Sequence, residues 1–325
     1  MNSFGRIFRV SIFGESHGKS VGVVIDGVRP GISISKEDFE ADLSRRRGGS
    51  VRGSTTRSES DIPEFFSGVC DGKTTGAPLA VIFSNNNTMS KDYSEFKSHP
   101  RPGHSDFAAM KKYNGFNDIR GGGHFSARLT AGLVAAGVIA KKMLDGVTFN
   151  AELISAGGRK DIAEAVEEAL KASDSIGGLI ECRINGVKCG TGEPFFGSVE
   201  SEIARILFSI PAVKGVEFGA GMKSAEMKGS EFNDKFIDST GKTSSNNSGG
   251  INGGIANGNE IIFRAAFRPT PSIFSAQNTF NFASGKMEEL VIKGRHDSCV
   301  ALRAPVIVEA AAAIALCDLY LSAQR

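Results

Sequence analysis

The sequence predicts one large α+β domain covering residues 1–325. Short segments rich in β-branched and aromatic residues predict strands in both halves of the chain. Two long and very apolar segments predict helices that are buried on all sides. Apart from Ser239–Gly254, which has the composition of a flexible loop, no low-complexity linker divides the chain. We therefore expect these elements to share one core.

The first part of the chain predicts strands, one short helix and a long loop. The predicted strands are Arg6–Phe13, Ser20–Val28 and Leu79–Phe83. The segment Ser33–Arg47 predicts a short helix because Ser35 can cap it, acidic residues fill its first turn and arginines end it. Ser84–His124 predicts mostly loop, and connections of that length are typically functional.

The rest of the chain alternates helices and strands. The predicted helices are Ser126–Leu144, Asp161–Ser173, Ser198–Ile210 and Pro305–Ser322, and the predicted strands are Asn259–Phe267 and the segment beginning at Gly178. The first and last of these helices are the apolar ones, which we expect at the centre. Val21–Gly31 and Gly178–Gly190 both predict a strand, then x-G-V-x-x-G, then a helix. An internal duplication or a chance alignment would each explain that echo.

Composition excludes several classes of protein. The 38 basic and 36 acidic residues give a net charge of +2, so we expect no nucleic-acid partner, and any anion site must be a local cluster. Five cysteines without a C-x-x-C pair predict reduced thiols in a cytoplasmic protein. No secretory signal is visible at the N-terminus. The apolar stretch Ala304–Cys317 is short and contains Pro305 and Glu309, so we expect no membrane span.

The sequence lacks the common motifs for binding nucleotides and zinc. The P-loop endings at Gly18, Gly72 and Gly241 lack the glycine that must stand five residues earlier. The dinucleotide fingerprint G-x-G-x-x-G is also missing, because Ser224 takes the last position of the segment beginning at Gly219. The five histidines never stand at the i, i+4 spacing of a helical zinc site, so no metal is predicted.

Four of the five histidines lie in loops rich in arginine and glycine. These loops are GESHG (Gly14–Gly18), RPGHSDF (Arg101–Phe107), RGGGHFSAR (Arg120–Arg128) and GRHDSC (Gly294–Cys299), and RRRGGSVRGSTTR (Arg45–Arg57) adds further arginines. The planar guanidinium of arginine can form paired hydrogen bonds with a phosphate or a carboxylate. Glycine leaves backbone N–H groups accessible to an anion, and histidine exchanges protons near neutral pH. Together they predict a site for a multiply anionic molecule that undergoes proton transfer.

The motifs GESHG, RRR-G-x3-R, RPGH-x-D, RGGG-x2-SAR, SNN-x-GG-x2-GG and RHD-x-C occur in this order from Gly5 to about Asp318. In that order they resemble the chorismate synthase family. The resemblance implies a lyase that converts 5-enolpyruvylshikimate 3-phosphate to chorismate and phosphate, the last step of the shikimate pathway. The reaction is a 1,4-anti elimination that needs reduced FMN without net redox change. It also implies a β-α-β sandwich with helices between two mostly antiparallel sheets, and a homotetramer.

The resemblance assigns catalytic roles to five residues. His17 would protonate the leaving phosphate, with Ser16 in the adjacent proton relay. His104 would lie against the flavin and stabilise its reduced, anionic form. Asp297 would assist proton removal from flavin N5, with Ser126 nearby. In this picture the cofactor carries the difficult step and the protein orients it.

The resemblance also assigns binding roles. Arg46 and Arg52 would bind the substrate's phosphate and carboxylates, or NADPH in members that reduce their own flavin. Arg128 and Arg295 would complete the anionic pocket. The residues expected to hold the flavin are His124, Phe125, Ser126, Asn247, Ser248, Gly253, Arg268, Pro269, Thr270, Pro271, Ser272 and Arg295.

Several positions depart from the family's usual residues. Many members have arginine at His124, serine at Phe125, lysine at Arg268 and serine at Pro271. Because none of these changes His17, His104 or Asp297, we expect altered flavin contacts with the chemistry retained. The alternative is an FMN- or phosphate-binding protein that has lost catalysis.

Overall fold

The computed structural model describes residues 2–49, 51–88 and 90–323; Ser50 and Met89, which fall in predicted loops, lie outside the described residues. The strands are β1 (Ser3–Phe4), β2 (Arg9–Gly14), β3 (Ser20–Asp26), β4 (Glu64–Ser67), β5 (Val69–Cys70), β6 (Lys73–Thr74), β7 (Leu79–Ser84), β8 (Thr148–Ala156), β9 (Gly178–Asn185), β10 (Val213–Phe218), β11 (Ile251–Asn252), β12 (Ile255–Ala256), β13 (Ile261–Phe267), β14 (Gln277–Asn281) and β15 (Lys286–Leu290). The helices are α1 (Glu40–Arg46), α2 (Asp106–Lys112), α3 (Thr130–Met143), α4 (Ile162–Lys171), α5 (Val199–Leu207), α6 (Gly229–Phe232) and α7 (Pro305–Ala323).

The N-terminal sheet has the strand order β1-β2-β3-β7-β4, and each neighbouring pair is antiparallel. Side chains alternate between the two faces of a strand, so every second residue can enter the core. Val21, Val23 and Ile25 of β3 are fully buried, as are Leu79 and Val81 of the paired strand β7. One face of this sheet therefore belongs to the core.

The second sheet has the order β10-β13-β9-β8, again antiparallel throughout. Strand β13 alternates fully, with Ile261, Phe263 and Ala265 buried and Arg264 between them half-buried. The Arg264 guanidinium donates to Glu181 of β9 at 2.8 Å, so ion pairs cover the outer face while apolar residues enter the core.

Helices α3 and α7 form the layer between the two sheets. Helix α3 packs on β2, β3 and β7, helix α7 packs on β8 and β9, and the two helices pack on each other. They approach so closely that a Cβ on Gly137 would lie 2.4 Å from the Cβ of Ala310. Each fully buried Val, Leu or Ile side chain in such a layer stabilises the fold by about 1.5–3 kcal/mol. The predicted β-α-β sandwich is confirmed.

Two buried carboxylates on α7 accept hydrogen bonds from other parts of the fold. The buried Glu309 carboxylate accepts from the Arg45 guanidinium, from Lys141 at 3.0 Å and from the backbone N–H of Ala151. The buried Asp318 carboxylate accepts from the backbone N–H groups of residues 6–8 at 2.7–3.0 Å. These bonds satisfy two carboxylates that would otherwise be costly to bury.

Helix α7 is longer than the apolar stretch considered above, and by length and composition alone it could cross a membrane. It is the one such helix among the described residues. Its side chains are buried from Val306 to Leu319, so in this fold it is the central core helix.

Three local predictions need correction. Ser84–His124 is not mostly loop, because it contains a 3₁₀ segment at Ser90–Lys97 and helix α2. Ser35 does not cap with its side chain; its backbone N–H donates to Asp38 at 2.8 Å, and the first helical turn begins at Glu37. Strands β8 and β10 were not predicted.

Candidate active site

A cavity of about 820 Å³ opens where α3 begins, within the range of about 300–1,000 Å³ typical of ligand pockets. Loops from both sheets and from the ends of α1 and α5 surround it. The predicted residues that line it are Ser16, His17, Arg46, His104, His124, Phe125, Ser126, Arg128, Arg268, Thr270, Pro271, Ser272, Arg295 and Asp297. Residues more than 250 positions apart in the chain therefore meet at one site.

His17 lies in the loop between β2 and β3 and is buried, with its ring edge-on to Tyr93 at a centroid distance of 5.1 Å. Burial first, and then the positive charge of Arg57, lowers the pKa of His17 from 6.5 to about 4. The imidazole is therefore neutral at pH 7 before an anion enters the cavity. A bound phosphate would favour its protonation, because opposite charges stabilise each other at short range.

Ser16, beside His17, is held by an arginine that was not predicted as a site residue. Arg57 donates to the Ser16 Oγ at 2.7 Å and to its carbonyl oxygen at 2.9 Å. The same guanidinium is paired with Glu59 at 2.8 Å. Arg57 ends the predicted segment Arg45–Arg57, so position in that segment was the one available signal.

One buried carboxylate joins two of the predicted substrate-binding arginines. Asp61 is fully buried and accepts from both Arg46 and Arg128, which are themselves almost completely buried. Burial opposes ionisation of Asp61, but the two guanidiniums hold its pKa below the usual value. Two positive charges and one negative charge leave this part of the cavity net positive, as an anion site requires.

His104 lies at the start of α2 in a second cluster. Its Nδ1 is 2.6 Å from the Asp106 Oδ1. The Arg101 guanidinium donates a hydrogen bond to each oxygen of the same carboxylate, both at 2.8 Å. Burial first lowers the pKa of His104, while the Asp106 hydrogen bond acts in the opposite direction. Arg101 and Asp106 were not predicted as site residues, although both belong to the RPGHSDF segment.

Asp297 is buried and fully paired. Its carboxylate accepts from Arg303 at 2.8 and 3.0 Å and from the backbone N–H of Thr55 at 2.9 Å. Its neighbour Arg295 donates to the side chain and backbone of Asn87 at 2.9 Å. The GRHDSC segment is thereby fixed to the loops that follow α1 and β7.

Arginine 128 and Ser126 come from the start of the α3 region. The Ser126 Oγ accepts from the backbone N–H of Arg128 at 3.2 Å and so caps the first turn. Just before it, Gly121, Gly122 and Gly123 all have positive φ, which lets the chain turn tightly around His17 and His104.

Five predicted residues lie outside the cavity lining. Arg52 has a side chain that is 75% exposed and pairs with Glu167. Asn247 and Ser248 donate their backbone N–H groups to Asp234, and Gly253 and Pro269 also lie away from the lining. Their binding roles stay predictions.

No group of residues that could hold a metal ion is found in the described part of the chain.

Comparison with known proteins adds a family to this geometry. A family model described as Chorismate synthase matches residues 8–321. A chorismate synthase from Chitinophaga pinensis is 55% identical, covering 100% of this chain and 98% of that protein. One from Thermococcus kodakarensis is 44% identical, covering 97% and 96%. A solved structure named "Crystal Structure of Chorismate Synthase" is 26% identical with a TM-score of 0.75, covering 98% of this chain and 93% of that one. The chain therefore belongs to the chorismate synthase family of lyases.

Proposed function

We propose that this chain converts 5-enolpyruvylshikimate 3-phosphate to chorismate and phosphate by a 1,4-anti elimination that requires reduced FMN. One C–O bond to phosphate and one C–H bond break, and a new C=C bond forms, so no electrons are gained or lost. The observation that carries the proposal is the meeting of His17, His104 and Asp297 with buried arginines in one cavity.

The arginines would bind the anionic substrate. Arg46 and Arg128 share a single counter-ion, and the Arg46 Nε is a buried donor without a hydrogen-bond partner among the described residues. Buried donors of this kind are costly until an acceptor arrives. A phosphate or carboxylate oxygen at this point would satisfy the donor and balance the charge.

His17 would donate a proton to the departing phosphate. The imidazole is neutral in the ligand-free cavity, and the arriving dianion would raise the pKa of His17 towards the operating pH. Ser16, held by Arg57, lies beside it for a proton relay.

The cavity lining combines apolar residues for the flavin ring with polar residues for the rest of the cofactor. Phe125, Leu133 and Pro271 offer apolar surface for a flat ring, and the Thr270 Oγ1 is buried without a partner among the described residues. Thr270, Ser272 and Arg268 would hold the cofactor, with His104 beside it. Reduced FMN, when bound, would supply the base for the C–H proton.

Four finer points are also proposals: location in the cytoplasm, reliance on NADPH or another reductant, absence of nucleic-acid and membrane partners, and a homotetramer. The free thiols of all five cysteines support a reducing compartment. The side chains of Phe195 and Phe196, which are 83% and 94% exposed, support self-association. Light scattering on the purified chain would test the tetramer.

The test of the main proposal is anaerobic. Purified protein, 5-enolpyruvylshikimate 3-phosphate and chemically reduced FMN are mixed, and chorismate and phosphate are measured together. We expect equal amounts of both, dependent on reduced flavin. Flavin binding without either product would instead support the protein that has lost catalysis.

A further inference from the structure

The side chains of Arg101, His104 and Asp106 contact one another more extensively than a flavin contact by His104 alone would need. The His104 Nδ1 lies 2.6 Å from Asp106, and the Arg101 Nη2 lies 2.8 Å from the same oxygen. Arg101 and Asp106 are both almost completely buried, so solvent screens these interactions poorly. The guanidinium also covers the ring of Phe96 at 4.5 Å.

These distances decide which ring nitrogen of His104 carries the proton. If Nδ1 were unprotonated, its lone pair would face a carboxylate oxygen at 2.6 Å, which is repulsive. With the proton on Nδ1, the same pair forms a short charge-assisted hydrogen bond. The Arg101 Nη2 lies 3.1 Å from Nδ1 and would donate to that nitrogen if it were unprotonated. The Asp106 oxygen is closer, at 2.6 Å, so we assign the proton to Nδ1, which donates it to the carboxylate.

The other nitrogen, Nε2, lies beside the glycine turn, since a Cβ on Gly122 would be 3.6 Å from it. Both His104 and the neighbouring Gly121 line the cavity. With Nδ1 protonated in the neutral ring, Nε2 is a hydrogen-bond acceptor that can take up a proton. The Asp106 carboxylate would then stabilise the resulting imidazolium, which can donate to an anion in the cavity.

Arg101 also links this arrangement to the segment Arg268–Ser272. Its Nη1 donates to the buried Ser272 Oγ at 3.1 Å, and Ser272 ends the segment predicted to hold the flavin. The orientation of the carboxylate is therefore fixed from two sides, by its own helix and by a segment about 170 residues later in the chain.

We propose that Asp106 and Arg101 are positioning residues that hold His104 as the Nδ1–H tautomer, with Nε2 presented to the cavity as the nitrogen that accepts and returns a proton. The assignment of the tautomer stands on geometry alone. Only its consequence for turnover rests on the proposed function.

The test uses the full-length protein with selectively ¹⁵N-labelled histidine, and the His104→Gln variant identifies the His104 signals. In the wild-type protein at neutral pH, two-dimensional NMR should show a protonated Nδ1 and an unprotonated Nε2 for His104. Asp106→Asn should convert a large share of His104 to the Nε2–H form, because the amide group can donate to Nδ1. Asp238→Asn, which changes a carboxylate on an exposed turn, is the matched control and should leave these signals unchanged.

A wild-type His104 that carries its proton on Nε2, or an Asp106→Asn spectrum identical to wild type, would overturn the proposal. The wild-type measurement decides the tautomer even if the variant does not fold. In the anaerobic assay, Asp106→Asn should lower kcat by roughly 10²–10⁴-fold and change KM only a few-fold. If the wild-type protein has the expected tautomer but no turnover, the proposed function fails and the tautomer assignment survives.

Discussion

Gly121 lies so close to His17 that a Cβ built on this glycine would stand 2.5 Å from the Cδ2 of the imidazole. The same Cβ would stand 2.8 Å from the Ser16 Oγ, and the backbone has a φ of +60°. A side chain at Gly121 would therefore displace both residues that we propose for proton transfer to the leaving phosphate.

We expect Gly121→Ala to lower turnover by at least about tenfold, because small displacements of a catalytic group are costly. Release of phosphate in the anaerobic assay would measure this. Gly115→Ala is the control, since Gly115 has a φ of +78° but nothing within 4 Å of its added Cβ. Equal losses in the two variants would attribute the effect to backbone strain and contradict displacement of His17.

Replacement of either proposed catalytic histidine should remove activity and preserve the fold. His17→Ala and His104→Ala should each lower kcat by roughly 10²–10⁴-fold, because each removes one proton-transfer group. Circular dichroism would verify folding, and His99→Gln would serve as the control because His99 does not line the cavity. Rates near wild type in either alanine variant would refute the role of that histidine.

The Asp61 carboxylate should be among the most important single groups for stability. Asp61→Asn leaves Arg46 and Arg128 buried beside each other without their shared counter-ion, which should cost about 3–5 kcal/mol in the free energy of unfolding. Urea denaturation would measure the loss. The control Asp38→Asn breaks a more exposed pair with Lys142 and should cost about 1 kcal/mol or less. Similar losses at both positions would show that Asp61 does not balance the two arginines.

Histidine protonation should destabilise the protein in mild acid. Burial is the main reason that the pKa values of His17 and His296 are lowered from 6.5 to about 4. Between these values the unfolded chain binds protons that the folded protein does not, so stability falls as the pH drops from about 6.5 towards about 4. The melting temperature should decrease across this window, and His296→Gln should make the decrease shallower. An unchanged slope in that variant would contradict the lowered pKa of His296.

The sequence alone predicted both helices of the central layer, strands β2, β3 and β7 of the first sheet, and strands β9 and β13 of the second. The helix around Ser126–Leu144 was recognisable because its apolar residues run through every turn. Strand β10 was missed because Gly215 interrupts its short alternating pattern, and β8 was missed because several of its side chains are only half-buried. Helix α2 was missed because it is a seven-residue segment between Pro- and Gly-rich turns, too short for a periodic signal.

The predicted histidines His17, His104 and His124 and several predicted arginines line the cavity, whereas Arg57, Arg101, Asp61 and Asp106 were not predicted as site residues. The histidine-containing loops were predicted as site loops from their content of arginine and glycine and from the family resemblance. Asp61 lies 67 residues from Arg128, and no local pattern indicates such a pairing. The same holds for Asp297 and Thr55, which are 242 positions apart. Charge compensation of this kind depends on tertiary approach, which single-sequence patterns do not record.

The bonds between Asp318 and residues 6–8 have a consequence for synthesis on the ribosome. They join the first strands of the protein to the end of its last long helix, across more than 300 positions. Because α7 is the helix of the central layer that packs on β8 and β9, the apolar face of the second sheet stays uncovered until α7 has been made. Contacts so distant in sequence form slowly. A chain that is still being made should therefore expose the apolar face of the second sheet until α7 emerges, and should depend on chaperones more than a protein whose sheets are covered by helices close to them in sequence.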